Sequence, residues 1–365
     1  MNDLGRLEVA LPSSGKGAAP SAVRRESGVT LIELMVSLVI GMLVLSGVTY
    51  VFFASRTTYG YNESLSRIQE NARIALDALS YDMRMAGFFG CGKADLIPIN
   101  VIANSPPVAK VDQTIALAGY SYGDAGTSFV DAGSLKGVAG SDVLVVRRGA
   151  VTPASLVGQM SSTSDVLKLD CNPDGIKKDD LVLVTDCGSG ELFKATAVDG
   201  SADSGSCDGK ANTVTEVFHE AASNSSAALS KIYGSDAQVM RFEEIAYFLR
   251  DSGRKTKDGK VVISLFRRIN GVDEEVAEGI EGMRLFFEIN GGAGKSSNVG
   301  GVASTDWQNV VAVQVYLLMS TQEATLSEAK SVLFPSSKLD SKPYGPDKVM
   351  RSEFVQTIAL RNRLP

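Results

Sequence analysis

The chain has 365 residues, a formal net charge of −6 and 21% charged side chains. A chain of this length forms one large domain or two ordinary ones, and its 44% of hydrophobic residues is typical of a folded protein. The negative charge argues against a general nucleic-acid-binding protein, which needs a basic face toward phosphates. The single histidine, His219, excludes sites built from two histidine ligands.

Residues 1–28 differ in composition from the rest of the chain. They are rich in Gly, Ala, Ser and Pro, and they end in Arg24-Arg25-Glu26-Ser27-Gly28. They contain no apolar run of the kind that a secretory signal peptide carries before its cleavage site. A cut near Gly28 would therefore leave the apolar run that begins after it on the mature protein.

That apolar run extends from Leu34 to Ala54 without a charged side chain. As a helix it would measure roughly 32 Å, close to the ~30 Å hydrocarbon core of a bilayer. A buried core helix is usually shorter and keeps a polar stripe. Because no second run of this length occurs later in the chain, residues 29–54 are predicted to cross a membrane once.

Residues 55–89 are predicted to continue the same helix with an amphipathic pattern. Their apolar residues recur in steps of three and four, which describes one helix face, and Gly87 suits a C-cap. An unbroken helix from Thr30 to Ala86 would be ~85 Å long, a length that suits a filament subunit. The residues of this face are Leu65, Ile68, Ala72, Ala75, Leu79, Met83 and Ala86.

Residues 90–365 are predicted to form a β-rich head. Short runs of β-branched residues alternate with Gly, Asp, Asn and Ser, so the fold class is α+β, a long helix packed on a mainly antiparallel β domain. Asp251–Lys260 is predicted as a hairpin turn and Thr325–Val332 as a short helix. The predicted strands are Asp142–Arg147, Val166–Leu169, Leu181–Thr185, Leu192–Val198, Thr213–His219, Ile245–Leu249, Val261–Arg267, Met283–Ile289, Val310–Met319 and Phe354–Leu360.

The head of the apolar run carries a specific motif, Gly28-Val29-Thr30-Leu31-Ile32-Glu33-Leu34. Together with the apolar run itself, it resembles the class III signal of type IV pilins and pseudopilins. The resemblance implies that a prepilin peptidase cuts between Gly28 and Val29 and methylates the new amine of Val29. It also implies that Glu33 pairs with the amine of a neighbouring subunit during assembly. Val29 stands where the family usually has Phe.

A second resemblance lies in the head. Asp180-Leu-Val-Leu-Val-Thr-Asp-Cys187, Ala246-Tyr-Phe-Leu and Ser264-Leu-Phe-Arg-Arg resemble the PilW branch of minor pilins. The ending Phe354-x-x-Thr-x-x-Leu-Arg-Asn362 is shared with the large minor pseudopilin of type II secretion. The two likenesses together imply a minor pilin, a structural subunit with no enzymatic activity and no cofactor.

The pilin resemblance also implies partners and a location. The partners are other minor pilins, the major pilin, the inner-membrane assembly platform and the prepilin peptidase, with no nucleic acid. The chain would begin as a single-pass inner-membrane protein with its head in the periplasm and end in a pilus, serving assembly priming, twitching motility and adhesion. Two alternatives are a minor pseudopilin of type II secretion and a signal-anchored periplasmic binding protein.

Four cysteines lie beyond the apolar run, at Cys91, Cys171, Cys187 and Cys207. They form no Cys-x-x-Cys pair and no Cys/His cluster, so zinc is not expected. In a head outside the cytoplasm they predict disulfides, for which four cysteines allow three connectivities. The family-like stretches around Cys91 and Cys187 favour that pair, which leaves Cys171 with Cys207.

Three further patterns receive structural interpretations. Asp170, Asn172 and Asp174 match the first half of a calcium loop, but Leu181 stands at its twelfth position, so a turn is predicted and no metal. His219 is predicted to be packed or on the surface, and no residue is assigned a catalytic role. The acidic runs Glu243-Glu244 and Asp273-Glu274-Glu275 are predicted to be solvated.

Overall fold

The computed structural model describes residues 28–90, 97–105, 111, 116–122, 135–200, 214–290, 296–303, 305–336 and 341–363. The chain divides into two compact units, Met1–Tyr59 and Gly60–Pro365. One helix, α1 (Leu31–Arg84), contributes its beginning to the first unit and its end to the second.

In the first unit, α1 is long and apolar enough to cross a membrane. Four of its hydroxyl side chains donate to a backbone carbonyl three or four residues earlier. Ser46 donates to Leu43 O, and Thr49 donates to Leu45 O. Hydroxyls satisfied within the helix in this way can enter an apolar environment without exposing an unpaired donor.

In the second unit, one face of α1 is buried against the β domain. Its buried apolar side chains are the ones that recur in steps of three and four, as the sequence predicts: Ile68, Ala72, Ala75, Leu79 and Met83. Burying an apolar side chain of Leu or Ile size contributes about 1.5–3 kcal/mol, so this face holds the helix on the domain. α1 ends at Arg84, and Gly87 has a φ of 72°, which favours glycine.

Eighteen strands are described, and they account for most of the second unit. In chain order they are β1 (Ile99–Val101), β2 (Leu117–Ser121), β3 (Asp142–Gly149), β4 (Ala154–Ser155), β5 (Leu167–Leu169), β6 (Leu181–Thr185), β7 (Gly190–Lys194), β8 (Ala197–Asp199), β9 (Thr215–Phe218), β10 (Gln238–Lys255), β11 (Val261–Ile269), β12 (Val272–Glu278), β13 (Ile280–Ile289), β14 (Ser296–Asn298), β15 (Val310–Ala324), β16 (Lys330–Phe334), β17 (Lys342–Asp347) and β18 (Val349–Ala359).

The largest sheet in the described part of the chain has nine strands. Its main path runs β1-β7-β6-β10-β11-β12, while β3 and β4 pair with β10 and β2 pairs with β3. The long strand β10 hydrogen-bonds in succession to β4 and β6, then β3, then β11. Among the named strands the β1–β7 pair is parallel and the others are antiparallel.

Three smaller sheets complete the head. A four-stranded antiparallel sheet has the order β14-β13-β15-β18, β16 and β17 form a hairpin, and β5, β9 and β8 form a three-stranded sheet. The face of α1 packs in one core with side chains from the nine-stranded and four-stranded sheets. A second core is built from β4 to β7, β9 and the start of β10.

The predicted fold class is confirmed: a long amino-terminal helix packs on a mostly antiparallel β domain. The helix predicted at Thr325–Val332 is wrong, because Lys330–Phe334 forms β16 and pairs with β17. The predicted Asp251–Lys260 turn is narrower in the structure. β10 continues to Lys255 through an irregularity, and the turn closes where Thr256 N donates to Lys260 O.

Candidate functional site

The motif at the head of the apolar run forms the start of α1. Gly28, Val29 and Thr30 precede the helix, which begins at Leu31. The Oγ1 atom of Thr30 accepts a hydrogen bond from the backbone N–H of Glu33 at 3.3 Å. This is N-capping by threonine, and the Thr-x-x-Glu spacing is that of a capping box. Thr30 therefore fixes where the helix begins.

Glu33 lies in the first turn of α1, where the partial positive charge of the helix terminus favours a carboxylate. Its side chain is exposed, and it is the only acidic residue between Val29 and Glu63. Around it the apolar side chains are exposed as well, for example Leu31 at 78% and Leu34 at 58%. Such a surface needs an apolar environment, and a carboxylate within it needs a cation.

The fold does not require glycine at position 28. A Cβ atom added to it would meet no atom within 4 Å. The bond between Gly28 and Val29 lies outside the helix, as a protease substrate requires, and residues 1–27 lie outside the described residues. The processing roles of Gly28 and Val29 and the assembly role of Glu33 stay predictions.

A buried charge cluster joins α1 to the nine-stranded sheet. Asp82, 1% exposed, lies on the buried face of α1 and accepts from Arg148 of β3 at 3.2 Å and from Nη2 of Arg267 of β11 at 3.1 Å. The hydroxyl of Tyr247 on β10 donates to the same carboxylate at 2.6 Å. Burial, together with the adjacent Asp82 carboxylate, raises the pKa of Tyr247 well above its usual range, so the phenol stays protonated and acts as a donor.

The charge cluster extends along β10. Arg148 also approaches Glu243 at 3.1 Å, and Arg147 donates to Glu244 at 2.6 Å. Burial raises the pKa of Glu244, and the neighbouring Arg147 opposes that rise. The prediction that Glu243 and Glu244 are solvated is wrong, because both face the arginines of β3 across the β3–β10 ladder.

In the second acidic run, Asp273-Glu274-Glu275, two residues form ion pairs with partly buried side chains and one is exposed. Asp273 pairs with Arg250 and Arg268, and Glu275 pairs with Arg254, while the side chain of Glu274 is 67% exposed. The prediction of a solvated run therefore fails for Asp273 and Glu275. Hydrogen bonds from Arg268 and Arg250 lower the pKa of Asp273.

The burial of Asp82 could have been predicted from its position in the helix, although the apolar residues alone do not indicate it. Asp82 lies seven residues after Ala75 and three after Leu79, so it falls on the buried face of α1. An acidic residue at such a position indicates a buried cation partner. The identity of that partner depends on strands that lie far away in the sequence.

Two of the four cysteines lie within the described residues. Cys171 and Cys187 are both disulfide-bonded, and Cys171 is buried in the second core. Cys91 and Cys207 lie outside the described residues, so the pairing of Cys91 with Cys187 and of Cys171 with Cys207 stays a prediction.

The candidate calcium residues are engaged in separate hydrogen bonds. Asp170 accepts from the N–H of Ser155, Asn172 bonds both N–H and carbonyl of Ile176, and Asp174 accepts from Thr152. Within the described ranges no group of three or more His, Cys, Asp or Glu side chains could hold a metal ion.

His219 is packed in the second unit. It is 4% exposed, its ring contacts Phe193 edge-on, and its Nε2 lies 2.8 Å from the carbonyl of Asp165. These contacts describe a structural histidine that holds the loop before β5.

Two family models match the chain. The model described as Type IV Pilus-assembly protein W, PilW, matches residues 247–362, and the prokaryotic N-terminal methylation motif matches residues 23–49. The PilW match covers β11 to β18 and the second half of β10, and the methylation motif ends inside α1. The resemblance that the sequence indicated is confirmed by these two matches.

Comparison with curated protein sequences finds no match. Among solved structures, a type IV-like pilin from Thermus thermophilus is 14% identical, with a TM-score of 0.23. The likeness covers 34% of this chain and 67% of that one.

Proposed function

We propose that this chain, which resembles PilW-type pilins over residues 247–362, is a pilus subunit with a specific place in a type IV pilus. The chain is a minor pilin that is made as a prepilin, held in the inner membrane by the first part of α1, and incorporated near the pilus tip. There it primes assembly and serves pilus biogenesis, twitching motility and adhesion. Its partners are other minor pilins, the major pilin, the assembly platform and the prepilin peptidase.

One observation carries this proposal. The N-terminal methylation motif, residues 23–49, runs without interruption into a helix whose end is buried in a folded head. Residues 1–28 are then a removed leader, 29–54 the membrane-spanning segment, 55–89 the amphipathic continuation and 90–365 the periplasmic head. A binding protein with an ordinary signal anchor would need no such motif before its helix.

The PilW match supports a pilus over a secretion system. The secretion alternative keeps one argument, the C-terminal segment that ends at Asn362. Deletion of the gene separates the two. Loss of surface pili with normal export of secreted enzymes supports the minor pilin, and the reverse supports the pseudopilin.

The decisive test uses Glu33→Gln. Glutamine keeps the size and the helix position of Glu33 and removes only the charge that would pair with a neighbouring α-amino group. We expect normal cleavage and membrane insertion, and a several-fold lower ratio of this subunit in sheared pili to that in membranes. The matched control is Glu63→Gln, which removes an exposed acid later in the same helix. An unchanged ratio for Glu33→Gln would remove Glu33 from assembly.

Mass spectrometry of the mature N-terminus tests processing separately. The proposal requires a chain that begins at Val29 and carries a methyl group on its amine. A mature chain that still contains residues 1–28 would contradict the pilin assignment whatever the outcome for Glu33.

A further inference from the structure

The head contains a half-open pocket of about 290 Å³ between the turn that precedes β3, the end of β14 and the start of β17. Its lining includes Arg284 and Lys342, together with Ser121, Gly140 and Asn298. None of the described residues that line it is acidic. This volume is at the lower end of the range for ligand pockets, so it suits a small group rather than an extended molecule.

The pocket lies where β14 ends along one edge of β13. β14 pairs with β13 only from Phe286 to Glu288. Beyond it, the N–H of Leu285 donates to the Asp142 carboxylate at 2.8 Å, so the start of β3 covers this edge. The pocket occupies the space between Gly140 and the end of β14, with Arg284 at its base.

Arg284 is held in place at this floor. Its Nη1 donates to the carbonyl of Gly140 at 3.3 Å, and its Nε lies 3.6 Å from the buried carboxylate of Asp142. Asp142 also accepts from the hydroxyl of Ser121 at 2.7 Å. The charge of Arg284 is therefore balanced by Asp142, and the orientation of the guanidinium group is fixed before any ligand binds.

Lys342 supplies the surplus charge. It is exposed at the start of β17, and within the described part of the chain it forms no ion pair. Its Nζ lies beside Gly140: a Cβ atom at that position would be 3.2 Å from it. Gly140 has a φ of 77°, so glycine both permits the turn and leaves space for the ammonium group. Arg284 and Lys342 thus meet at Gly140.

Asn298 adds a neutral donor at the rim. Its Oδ1 accepts from the N–H of Gly301 at 3.0 Å, which turns its amide nitrogen away from that bond. One guanidinium, one ammonium and one amide provide charged and neutral donors of the kind that bind carboxylate and phosphate oxygens.

The geometry points to a binding site for a small oxyanion at Lys342 and Arg284. The shared chemistry is a group whose negative charge is spread over two or three oxygens, supplied either as free phosphate or as the carboxylate of a peptide side chain. Because Lys342 is exposed, affinity should fall as salt is added. The site lies in the head and is independent of the assembly role of Glu33.

The test is a calorimetric titration of inorganic phosphate into the full-length mature protein in a non-ionic detergent at low ionic strength. We expect saturable binding that Lys342→Gln weakens at least tenfold and Lys342→Arg largely preserves. The control is Lys348→Gln, an exposed lysine outside the pocket. Circular dichroism verifies that each variant is folded.

A second titration with acetylated, amidated glutamate distinguishes the two sources. Tenfold tighter binding of phosphate indicates a free oxyanion, and equal or tighter binding of the blocked glutamate indicates a peptide carboxylate. The inference is overturned if neither probe binds the wild-type protein, or if Lys342→Gln and Lys348→Gln weaken binding equally.

Discussion

The side-chain amide of Asn362 donates a hydrogen bond to the backbone carbonyl of Ala86 at 3.0 Å. The two residues are separated by almost the whole head, yet the end of the chain satisfies a carbonyl just beyond the end of α1. Leu360, two residues before Asn362, is fully buried in the core that contains the helix face. The C-terminal segment is therefore part of the support for α1.

Asn362→Ala should lower the free energy of unfolding by about 1 kcal/mol, the usual contribution of one hydrogen bond. Thermal unfolding followed by circular dichroism measures the change. Asn309→Ala, at an exposed asparagine, serves as the control and should leave stability within about 0.5 kcal/mol. Equal effects of the two variants would show that the contact to Ala86 contributes nothing.

Asp82→Asn should be far more destabilising. The substitution leaves Arg148 and Arg267 without the carboxylate that they share, and removing one partner from a buried ion pair costs about 3 kcal/mol or more. Denaturant unfolding gives the difference. The matched control is Asp77→Asn on the same helix, where the side chain is 74% exposed and little change is expected. A loss below about 1 kcal/mol for Asp82→Asn would contradict the role of the cluster.

Gly28→Val should block processing without disturbing the fold. Since a Cβ atom at Gly28 meets nothing within 4 Å, any effect arises in the peptidase and not in the chain. Immunoblots of membranes should show only the full-length precursor. Gly47→Val, equally open within α1, should be processed normally. A mature-size band in Gly28→Val would refute the assigned cleavage site.

The disulfide prediction has support from a neighbouring contact. A Cβ atom at Gly90 would lie 2.5 Å from Cγ2 of Thr185, so the residue before Cys91 lies against the strand that leads to Cys187. Peptide mapping of the exported, unreduced protein should recover Cys91 linked to Cys187 and Cys171 linked to Cys207. Recovery of a peptide that links Cys91 to Cys171 would make the pairing wrong.

Asp347 should make the free energy of unfolding depend on pH in the acid range. Hydrogen bonds from Arg351, and then from Lys260, lower the pKa of this carboxyl far below its ordinary value. A carboxyl with a lowered pKa in the folded state stabilises the fold above its unfolded pKa of about 3.9, and that contribution is lost as the pH falls. Asp347→Asn should therefore be less stable at neutral pH.

The same variant should also lose less stability than the wild type between about pH 4 and pH 2. Thermal unfolding measured across this range gives both quantities. Asp258→Asn, at the exposed β10–β11 turn, provides the comparison. Parallel curves for Asp347→Asn and the wild type would exclude Asp347 as a source of acid sensitivity.

Local patterns explain why some elements could be predicted and others could not. The face of α1 from Ile68 to Met83 follows from a period of 3.6 residues, which neighbouring residues encode. The strand β12 contains Asp273, Glu274 and Glu275, a composition typical of a loop, and it exists because it pairs with β11. Likewise β17 contains two prolines and depends on its pairing with β16.

The same reasoning applies to the candidate sites. The motif from Gly28 to Glu33 is contiguous, so the sequence alone predicts it. Arg284, Gly140 and Lys342 come from three separate parts of the chain, and only the fold brings them to one pocket. No periodicity or spacing connects such residues.

The strand β10 belongs to both cores of the head. Its first residues, such as Val239, pack in the core that contains Cys171, and Tyr247 and Phe248 pack in the core that holds α1. Because one continuous strand contributes to both cores, we expect the two cores to unfold cooperatively. Loss of a disulfide in the core that contains Cys171 would thus also weaken the packing of α1 against the head.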